Sequence, residues 1–313
     1  PRGRRLFVPR FADHAQIYVA LLRSAGYDAE LLPPPDEDSV RAGEEQASGR
    51  ECHPFTIMAG DLCRLAGRSD LPEDSVFMLP TCATPCLLRQ YGDGFRLIAE
   101  RLGAPFEVWD AAPRDLRRIV GTAGMLRLYE GLVVNDVLLT LGTRLAPYVD
   151  DRAALQGLVS AGLARAADAI AQRRRPDAAL DETARALWAL PRRGEPGSRP
   201  VVGVTGDLYT RINPAGNAGL FKRLEAMGCE VWPSPSFAAM ADLGWAQDVR
   251  GALQRGRLKG AVDEGLTLAL TSSRRVRLHR LLPAPLQKIA VEPPVDHFSE
   301  LAGGYVGPGT NYL

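Results

Sequence analysis

The sequence predicts an α/β protein with two parallel-sheet lobes joined by a helical connector, and three observations predict it. Short apolar runs alternate with helical patterns of about 10–15 residues through residues 1–114, as in a parallel sheet covered by helices. Helical periodicity without a strand signal covers 115–195. The alternation of strand and helix resumes in 196–313. We therefore expect two Rossmann-like lobes, at 1–114 and 196–313, with 115–195 between them.

The first lobe is predicted to contain four strands and four helices. The strands are expected in the runs RLFVPR, DAELLPPP, DSVFMLPTC and APFEVWDA. The helices are expected in ADHAQIYVALLRSAGY, DEDSVRAGEEQASG, HPFTIMAGDLCRLAG and PCLLRQYGDGFRLIAERLG. Gly26 ends the first helix, because glycine accepts the left-handed backbone that often follows a helix. Pro54 starts the third helix, where a missing N–H costs no hydrogen bond.

The connector and the second lobe follow from the same patterns. Three helical segments are expected in LRRIVGTAGMLRLYEGLVVNDVLLTLGTRLAPY, DRAALQGLVSAGLARAADAIAQ and LDETARALWAL. The tract PRRGEPGSRP has the composition of a linker. In the second lobe we expect strands in PVVGVTGDLY, CEVWPSP and LQKIAVEP, and a helix in NAGLFKRLEAMG.

Composition and charge exclude several classes of function. The 38 basic and 37 acidic residues nearly cancel, which disfavours a nucleic-acid or membrane-surface partner. The sequence contains no run of about 18 apolar residues, so we expect no transmembrane helix. The N-terminus lacks the apolar core of a signal peptide. Five irregularly spaced cysteines favour reduced thiols in a cytoplasmic protein over a secreted disulfide framework. The chain opens without Met and stops abruptly at GPGTNYL, so we expect a fragment of a longer protein whose second lobe is truncated at its C-terminus.

Three cysteines lie where a parallel sheet would bring side chains together. Cys52 precedes the helix that Pro54 starts, and Cys82 and Cys86 flank a strand-to-helix turn. The carboxyl ends of parallel strands share one edge, and helix N-termini favour thiolates. Three converging thiolates suit an iron–sulfur cluster or zinc. Their spacing matches neither a zinc ribbon nor a ferredoxin, so three cysteines without a metal are the alternative.

The remaining candidates are weaker or lie in the second lobe. His53, beside Cys52, is a candidate hydrogen-bond donor near the thiols. Cys63 and Cys229 lie within apolar or strand patterns, which predicts core packing for both. The segment GDLYTRINPAGN follows a predicted strand, so Tyr209 and Arg211 are expected at the carboxyl edge of the second sheet. Arg211 suits a carboxylate or phosphate ligand, and a polar turn that caps a helix is the alternative.

Motifs for several common activities are absent from the sequence. It contains no G-x-G-x-x-G fingerprint, no G-x-x-x-x-G-K-[ST] loop, no G-x-S-x-G elbow and no H-E-x-x-H pair. Nucleotide hydrolysis within the chain is therefore not expected.

Five segments resemble, in order, the 2-hydroxyacyl-CoA dehydratase D-component superfamily. They are SGRECHPFTIMAGDL, FMLPTCATPCLLRQYGDGFRLIAERLG, LVVNDVLLTLGTRLAPY, VVGVTGDLYTRINPAGNAGLFKRLEAMGCEVW and AVEPPVDHFSELAGGYVG. The chain is most similar to the domain of acyl-CoA dehydratase activase-related proteins and to double-cubane cluster proteins. The resemblance implies Rossmann-like lobes around a cysteine-ligated [4Fe–4S] or double-cubane cluster.

The resemblance also implies partners and roles for residues. Electrons would come from a separate ATP-dependent activase, and the substrate would be an acyl-CoA thioester or a small molecule that is reduced. A homo- or heterodimer is expected. Cys52 and Cys86 fall on the ligand motifs, with Cys82 as a third ligand, and Tyr209 and Arg211 fall on a G-E-I-Y-x-R-x-N motif. The chain departs from the pattern at Thr84 and Leu87, which stand where the family has Gly and Arg around the second cysteine.

Two classes of function are thus predicted. The first is an iron–sulfur enzyme or electron-transfer component, in which Cys52, Cys82 and Cys86 hold the cluster and Tyr209 and Arg211 orient an anionic substrate. The second is a non-catalytic binding or scaffold module of the same fold, without a metal cluster.

Overall fold

A computed structural model of the chain describes residues 3–81 and 86–291. The chain forms two compact units, and each contains a parallel sheet. The first unit comprises the chain up to Met125 and two later segments, Ile170–Arg174 and Gly206–Leu220. The prediction of a mixed α/β fold with parallel strands is therefore confirmed. No helix in the described part of the chain combines the length and apolar character needed to cross a membrane.

The sheet of the first unit determines where a ligand site can lie. It has four parallel strands: β1 (Arg5–Val8), β2 (Asp28–Leu31), β3 (Val76–Pro80) and β4 (Glu107–Ala111). Their order across the sheet is β2-β1-β3-β4. The chain thus moves from β1 to β2 on one side and then crosses to β3 on the other side of β1. Ligands in open α/β sheets bind at such a reversal, beyond the carboxyl ends of the strands.

Helices account for most of the remaining described residues. In chain order they are α1 (Ala15–Ser24), α2 (Glu37–Gln46), α3 (His53–Ala66), a 3₁₀ helix (Leu87–Gln90), α4 (Tyr91–Arg101), α5 (Pro113–Leu145), α6 (Arg152–Ala171), α7 (Asp177–Ala189), α8 (Leu208–Ile212), α9 (Leu220–Ala226), α10 (Phe237–Gln254), α11 (Leu258–Arg280) and α12 (Ala284–Ala290). The helical character predicted for the connector is confirmed by α5, α6 and α7. Helix α5 is interrupted at Gly121, whose φ of 68° is a left-handed conformation that favours glycine.

The first unit has apolar cores on both faces of its sheet. Successive strand residues point to opposite faces, so Phe7 and Phe77 join one core while Leu6 and Val76 join the other. The first core is completed mainly by α3 and α4, and the second by α1 and the start of α5. This arrangement explains why the two central strands, β1 and β3, are mostly apolar rather than alternating.

The second unit contains α6, α7, most of α5, and the helices from α9 onward. Its sheet has two parallel strands, β5 (Val201–Val204) and β6 (Glu230–Pro233). Glu230 is fully buried, and its carboxylate pairs with Arg144 at 2.5 Å and accepts a hydrogen bond from the Tyr148 hydroxyl. Helices α10 and α11 pack against each other.

The strand predicted in LQKIAVEP is wrong, because residues 284–290 form helix α12. Pro283 precedes the helix, and Leu286, Ile289 and Ala290 are buried. Their spacing is that of one helical face, so the apolar residues that suggested a strand instead satisfy helical periodicity.

Candidate functional site

The candidate site lies in the first unit, beyond the carboxyl ends of β1 and β3. The segment Gly206–Leu220 packs here, although it is distant in sequence. Its anchor is the Asn213 side chain, whose amide donates hydrogen bonds to the carbonyl oxygens of Arg10 at 3.3 Å and Phe11 at 3.0 Å. Because Arg10 and Phe11 directly follow β1, the anchored segment sits next to the reversal in strand order.

Cys52 is the residue immediately before helix α3. Its backbone is extended and Pro54 occupies the first turn, so the helix cannot extend backward through Cys52. The thiol is half-buried and packs against the core that contains Phe55. Its Sγ lies 2.5 Å from the hydroxyl oxygen of Tyr91. His53, considered as a donor from the sequence, is exposed, and Tyr91 is the residue that contacts the Cys52 sulfur.

Cys86 stands in the equivalent place before the 3₁₀ helix that leads into α4. Its backbone is extended, and its half-buried Sγ accepts a hydrogen bond from the Leu88 N–H at 3.5 Å. Both cysteines therefore stand immediately before helical N-termini.

Tyr91 contacts the Cys52 sulfur, and sequence reasoning missed it. It is buried at the start of α4. Burial, the hydrogen bond to Cys52, and the negative charges of Cys52, Cys86 and Asp207 raise the pKa of Tyr91 far above its usual value. Tyr91 therefore stays protonated and can donate its O–H to Cys52. Cys52 contacts this hydroxyl directly, and Cys86 precedes the 3₁₀ helix that leads to Tyr91.

Tyr209 brings a second buried hydroxyl into the same core. Helix α8 begins after Asp207, whose carboxylate accepts a hydrogen bond from the Thr210 N–H at 2.8 Å. Tyr209 is 8% exposed and belongs to the core that includes Phe55 and Tyr91. Among the described residues its hydroxyl oxygen has no hydrogen-bond partner. A buried hydroxyl normally has one, so Tyr209 is a candidate hydrogen-bond donor in this core.

Arg211 is a buried cation on the same segment as Tyr209. It is 3% exposed, and its Nη1 donates to the Gly206 carbonyl oxygen at 3.1 Å. This contact ties the side chain to the segment that carries it, which accounts for one of its five donors.

The structure brings Cys52, Cys86, Tyr209 and Arg211 into one unit and adds Tyr91 and Asp207. Cys82 lies outside the described residues. Cys63 packs against the core, and burial raises the pKa of its thiol, while Cys229 belongs to the second unit. The sequence signal for Tyr91 is its place as an aromatic residue at the start of the helix that follows Cys86. The signal for Asp207 is its place as an aspartate immediately before a helix.

Asp61 is a buried carboxyl group near Tyr209. It is fully buried on α3 and accepts a hydrogen bond from Arg64 at 2.8 Å through Oδ1. Its Oδ2 has no partner among the residues that the structure describes. Burial raises the pKa of Asp61 to about 7, although the charges of Arg64 and Arg10 act in the opposite direction. The group therefore binds a proton more tightly in the folded chain than in the unfolded chain.

This pKa predicts how stability depends on pH. Between about pH 4 and pH 7 the unfolded carboxyl loses its proton first, so the contribution of Asp61 to the free energy of unfolding falls as pH rises, by up to about 1.4 kcal/mol per unit. Asp61→Asn removes this dependence. Urea unfolding of both proteins at pH 5 and pH 8 should show a more favourable effect of the substitution at pH 8. Asp70→Asn is the control, because the hydrogen bond from Arg68 lowers the pKa of the Asp70 carboxyl to about 2. Its effect on the free energy of unfolding should be the same at pH 5 and pH 8. An equal effect of Asp61→Asn would contradict the assignment.

Comparisons with known proteins do not place the chain in a family. No family model, no curated protein and no solved structure matches it. Within 3–81 and 86–291, no group of three or more His, Cys, Asp or Glu side chains has the arrangement of a metal site.

Proposed function

We propose that the chain is an iron–sulfur protein of the 2-hydroxyacyl-CoA dehydratase type, in which Cys52, Cys82 and Cys86 hold a [4Fe–4S] or double-cubane cluster. The observation that carries the proposal is the contact of the Cys52 sulfur with the hydroxyl of Tyr91, a residue at the start of the helix that follows Cys86. Two cysteines, each immediately before a helical N-terminus, lie in the unit whose sheet has the strand reversal at which α/β sheets bind ligands. Thiolates are the ligands that iron–sulfur clusters use.

The residues around these cysteines suit such a group. Tyr91 donates a hydrogen bond toward a cysteine sulfur, which is one of the means by which proteins adjust cluster potential. The Phe55 and Phe95 rings pack beside Tyr91 and provide apolar walls that limit access of water. The buried Tyr209 hydroxyl, without a partner among the described residues, supplies a further donor. When bound, the cluster would supply low-potential electrons for a reductive reaction.

The chain's own residues would have distinct tasks in that reaction. Burial keeps Tyr91 and Tyr209 protonated, so both can donate hydrogen bonds at neutral pH. Arg211 carries a positive charge on the same segment as Tyr209 and suits the orientation of an anionic substrate. The proposal includes a separate ATP-dependent activase as electron donor, an acyl-CoA or small-molecule substrate, and a cytoplasmic location.

The proposal also includes a second Rossmann-like lobe. Its support is the parallel pairing of β5 and β6 and the helical segments between them, since parallel neighbours joined through helix are the repeating unit of such lobes.

Anaerobic reconstitution tests the proposal. The chain is incubated without oxygen with ferrous iron and sulfide, or with zinc alone, and the metal and acid-labile sulfide per chain are measured after desalting. We expect iron and sulfide to be retained together, with the visible absorbance of thiolate-bound iron. Retention of zinc alone would favour a zinc site. A colourless protein without iron and sulfide would favour the non-catalytic module.

A further inference from the structure

Asp61 is a buried carboxyl group to which the proposed function gives no role. It is fully buried on α3, and Ile57 and Leu65, one turn before and one turn after it, belong to the core that contains Phe55. Its Oδ1 accepts a hydrogen bond from Arg64, and its Oδ2 has no partner within the described part of the chain. A buried carboxylate oxygen without a partner is unfavourable, and a proton on that oxygen removes the unpaired charge. The Oδ2 atom is therefore a place where the first unit can hold a proton.

The charged and titratable groups that interact with Asp61 come from several elements of the first unit. They are Arg64 on α3, Arg10 after β1, Asp36 before α2 and Tyr209 on α8. Burial is the largest effect and raises the pKa of Asp61 to about 7, and the Asp36 charge acts in the same direction. The two arginines oppose this rise. The carboxyl group can therefore both bind and release a proton near neutral pH.

Tyr209 is the other buried group of this core that lacks a partner, and it is not the group that changes its protonation. Helix α8 packs against α3, and the Tyr209 hydroxyl has no partner among the described residues. Burial and the charges of Asp61 and Asp207 raise the pKa of Tyr209 far above its usual value. The hydroxyl therefore keeps its proton, and Asp61 is the group that can exchange one.

Asp61 lies on the same helix that Cys52 precedes. Cys52 stands immediately before α3, and Asp61 follows it by nine residues. At a helical rise of about 1.5 Å per residue, the two residues are about 13 Å apart along the axis. At an effective dielectric constant of about 20, one added charge at this distance changes the proton affinity of a carboxyl group about tenfold. An electron gained at the Cys52 end of α3 therefore strengthens proton binding at Asp61.

We propose that Asp61 takes up the proton that accompanies reduction of the candidate site. One electron from a low-potential one-electron donor enters the group held by the cysteines, and one proton from solvent forms an O–H bond at Asp61 Oδ2. Reoxidation passes the electron to an acceptor and returns the proton to solvent. Because Asp61 responds to a redox group at Cys52, the inference rests on the proposed function, and it makes the reduction potential of that site depend on pH.

Potentiometric titration of the anaerobically reconstituted chain between pH 5 and pH 9 tests the proposal, with dithionite as reductant and visible absorbance as the readout. Where only the reduced form holds the proton, the midpoint potential falls as pH rises. A tenfold change in proton affinity corresponds to a total fall of about 59 mV for a one-electron couple. In Asp61→Asn the potential should be constant over this range. Asp70→Asn makes the same change at an exposed carboxyl group of the same unit and should keep the wild-type fall.

A second variant keeps Asp61 and moves its titration. Arg64→Gln removes a cation that opposes proton binding at Asp61, so the fall in potential should occur at higher pH than in the wild type. Proton uptake on reduction, followed with a pH indicator in weak buffer, is a readout that a purely structural role of Asp61 would not change. We expect at most about half a proton per electron in the wild type and none in Asp61→Asn.

The outcomes separate this inference from the proposed function. A cluster-loaded wild type whose potential does not change with pH overturns the inference alone. The same holds if Asp61→Asn keeps the wild-type fall, or if Arg64→Gln leaves the fall at the same pH. A chain that retains no iron and sulfide overturns the proposed function, and the inference with it.

Discussion

Replacement of Gly60 by Ala is expected to lower the free energy of unfolding by about 3 kcal/mol. Helices α2 and α3 cross with their backbones in contact at Gly43 and Gly60. A Cβ atom on Gly60 would overlap the carbonyl oxygen of Ser39, and one on Gly43 would overlap the carbonyl oxygen of Thr56. Neither oxygen belongs to a flexible side chain, so the helices themselves must separate. The gain of about 1 kcal/mol in helix propensity is smaller than this cost.

The matched control for this substitution is Gly157→Ala. Gly157 lies within α6, and a Cβ atom there would meet no atom within 4 Å. The same chemical change is therefore expected to stabilise the chain by about 0.5–1 kcal/mol. Urea denaturation of both variants and the wild type measures the two effects. If Gly60→Ala were as stable as the wild type, the close crossing of α2 and α3 would be refuted.

Replacement of Cys52 or Cys86 by Ser is expected to lower the iron retained after anaerobic reconstitution at least about tenfold. Loss of an outer hydrogen-bond partner alone typically costs about 10–100-fold in metal affinity, and loss of a ligand should cost no less. Serine keeps the size of the side chain but not the soft thiolate that iron–sulfur clusters require. The readout is iron and sulfide per chain, together with a thermal unfolding curve for each variant.

Two other cysteines provide the controls. Cys63→Ser and Cys229→Ser change residues outside the candidate site: the Cys63 sulfur lies beside the Ala42 carbonyl oxygen, and Cys229 belongs to the second unit. Both variants should retain the wild-type amount of iron. The ligand assignment would not survive equal iron contents in all four variants.

The sequence predicted the local elements of the first unit well because they depend on short-range signals. The apolar run at Val76–Pro80 and the helix after Pro54 are specified by neighbouring residues. The order β2-β1-β3-β4 could not be predicted, since it depends on contacts between strands far apart in the chain. The error at α12 has a different origin: a short apolar run satisfies both the helical and the strand pattern.

The candidate site was predicted only in part. Cys52 and Cys86 were identified because cysteines before helical N-termini are a local signal. The contact of Tyr91 with Cys52 joins two helices, and the anchoring of Asn213 on Arg10 and Phe11 joins distant parts of the chain. Sequence patterns carry no information on such contacts. Tyr209 was therefore predicted at the edge of a second sheet, whereas it packs in the core of the first unit.

Anomalous diffraction at the iron absorption edge, from crystals of the anaerobically reconstituted chain, tests the central claim most directly. We expect an iron peak within bonding distance of the Cys52 and Cys86 sulfur atoms, beside the Tyr91 hydroxyl. Iron peaks at other residues would contradict the ligand assignment. So would the absence of an iron peak at these two sulfurs in crystals of a protein that contains iron.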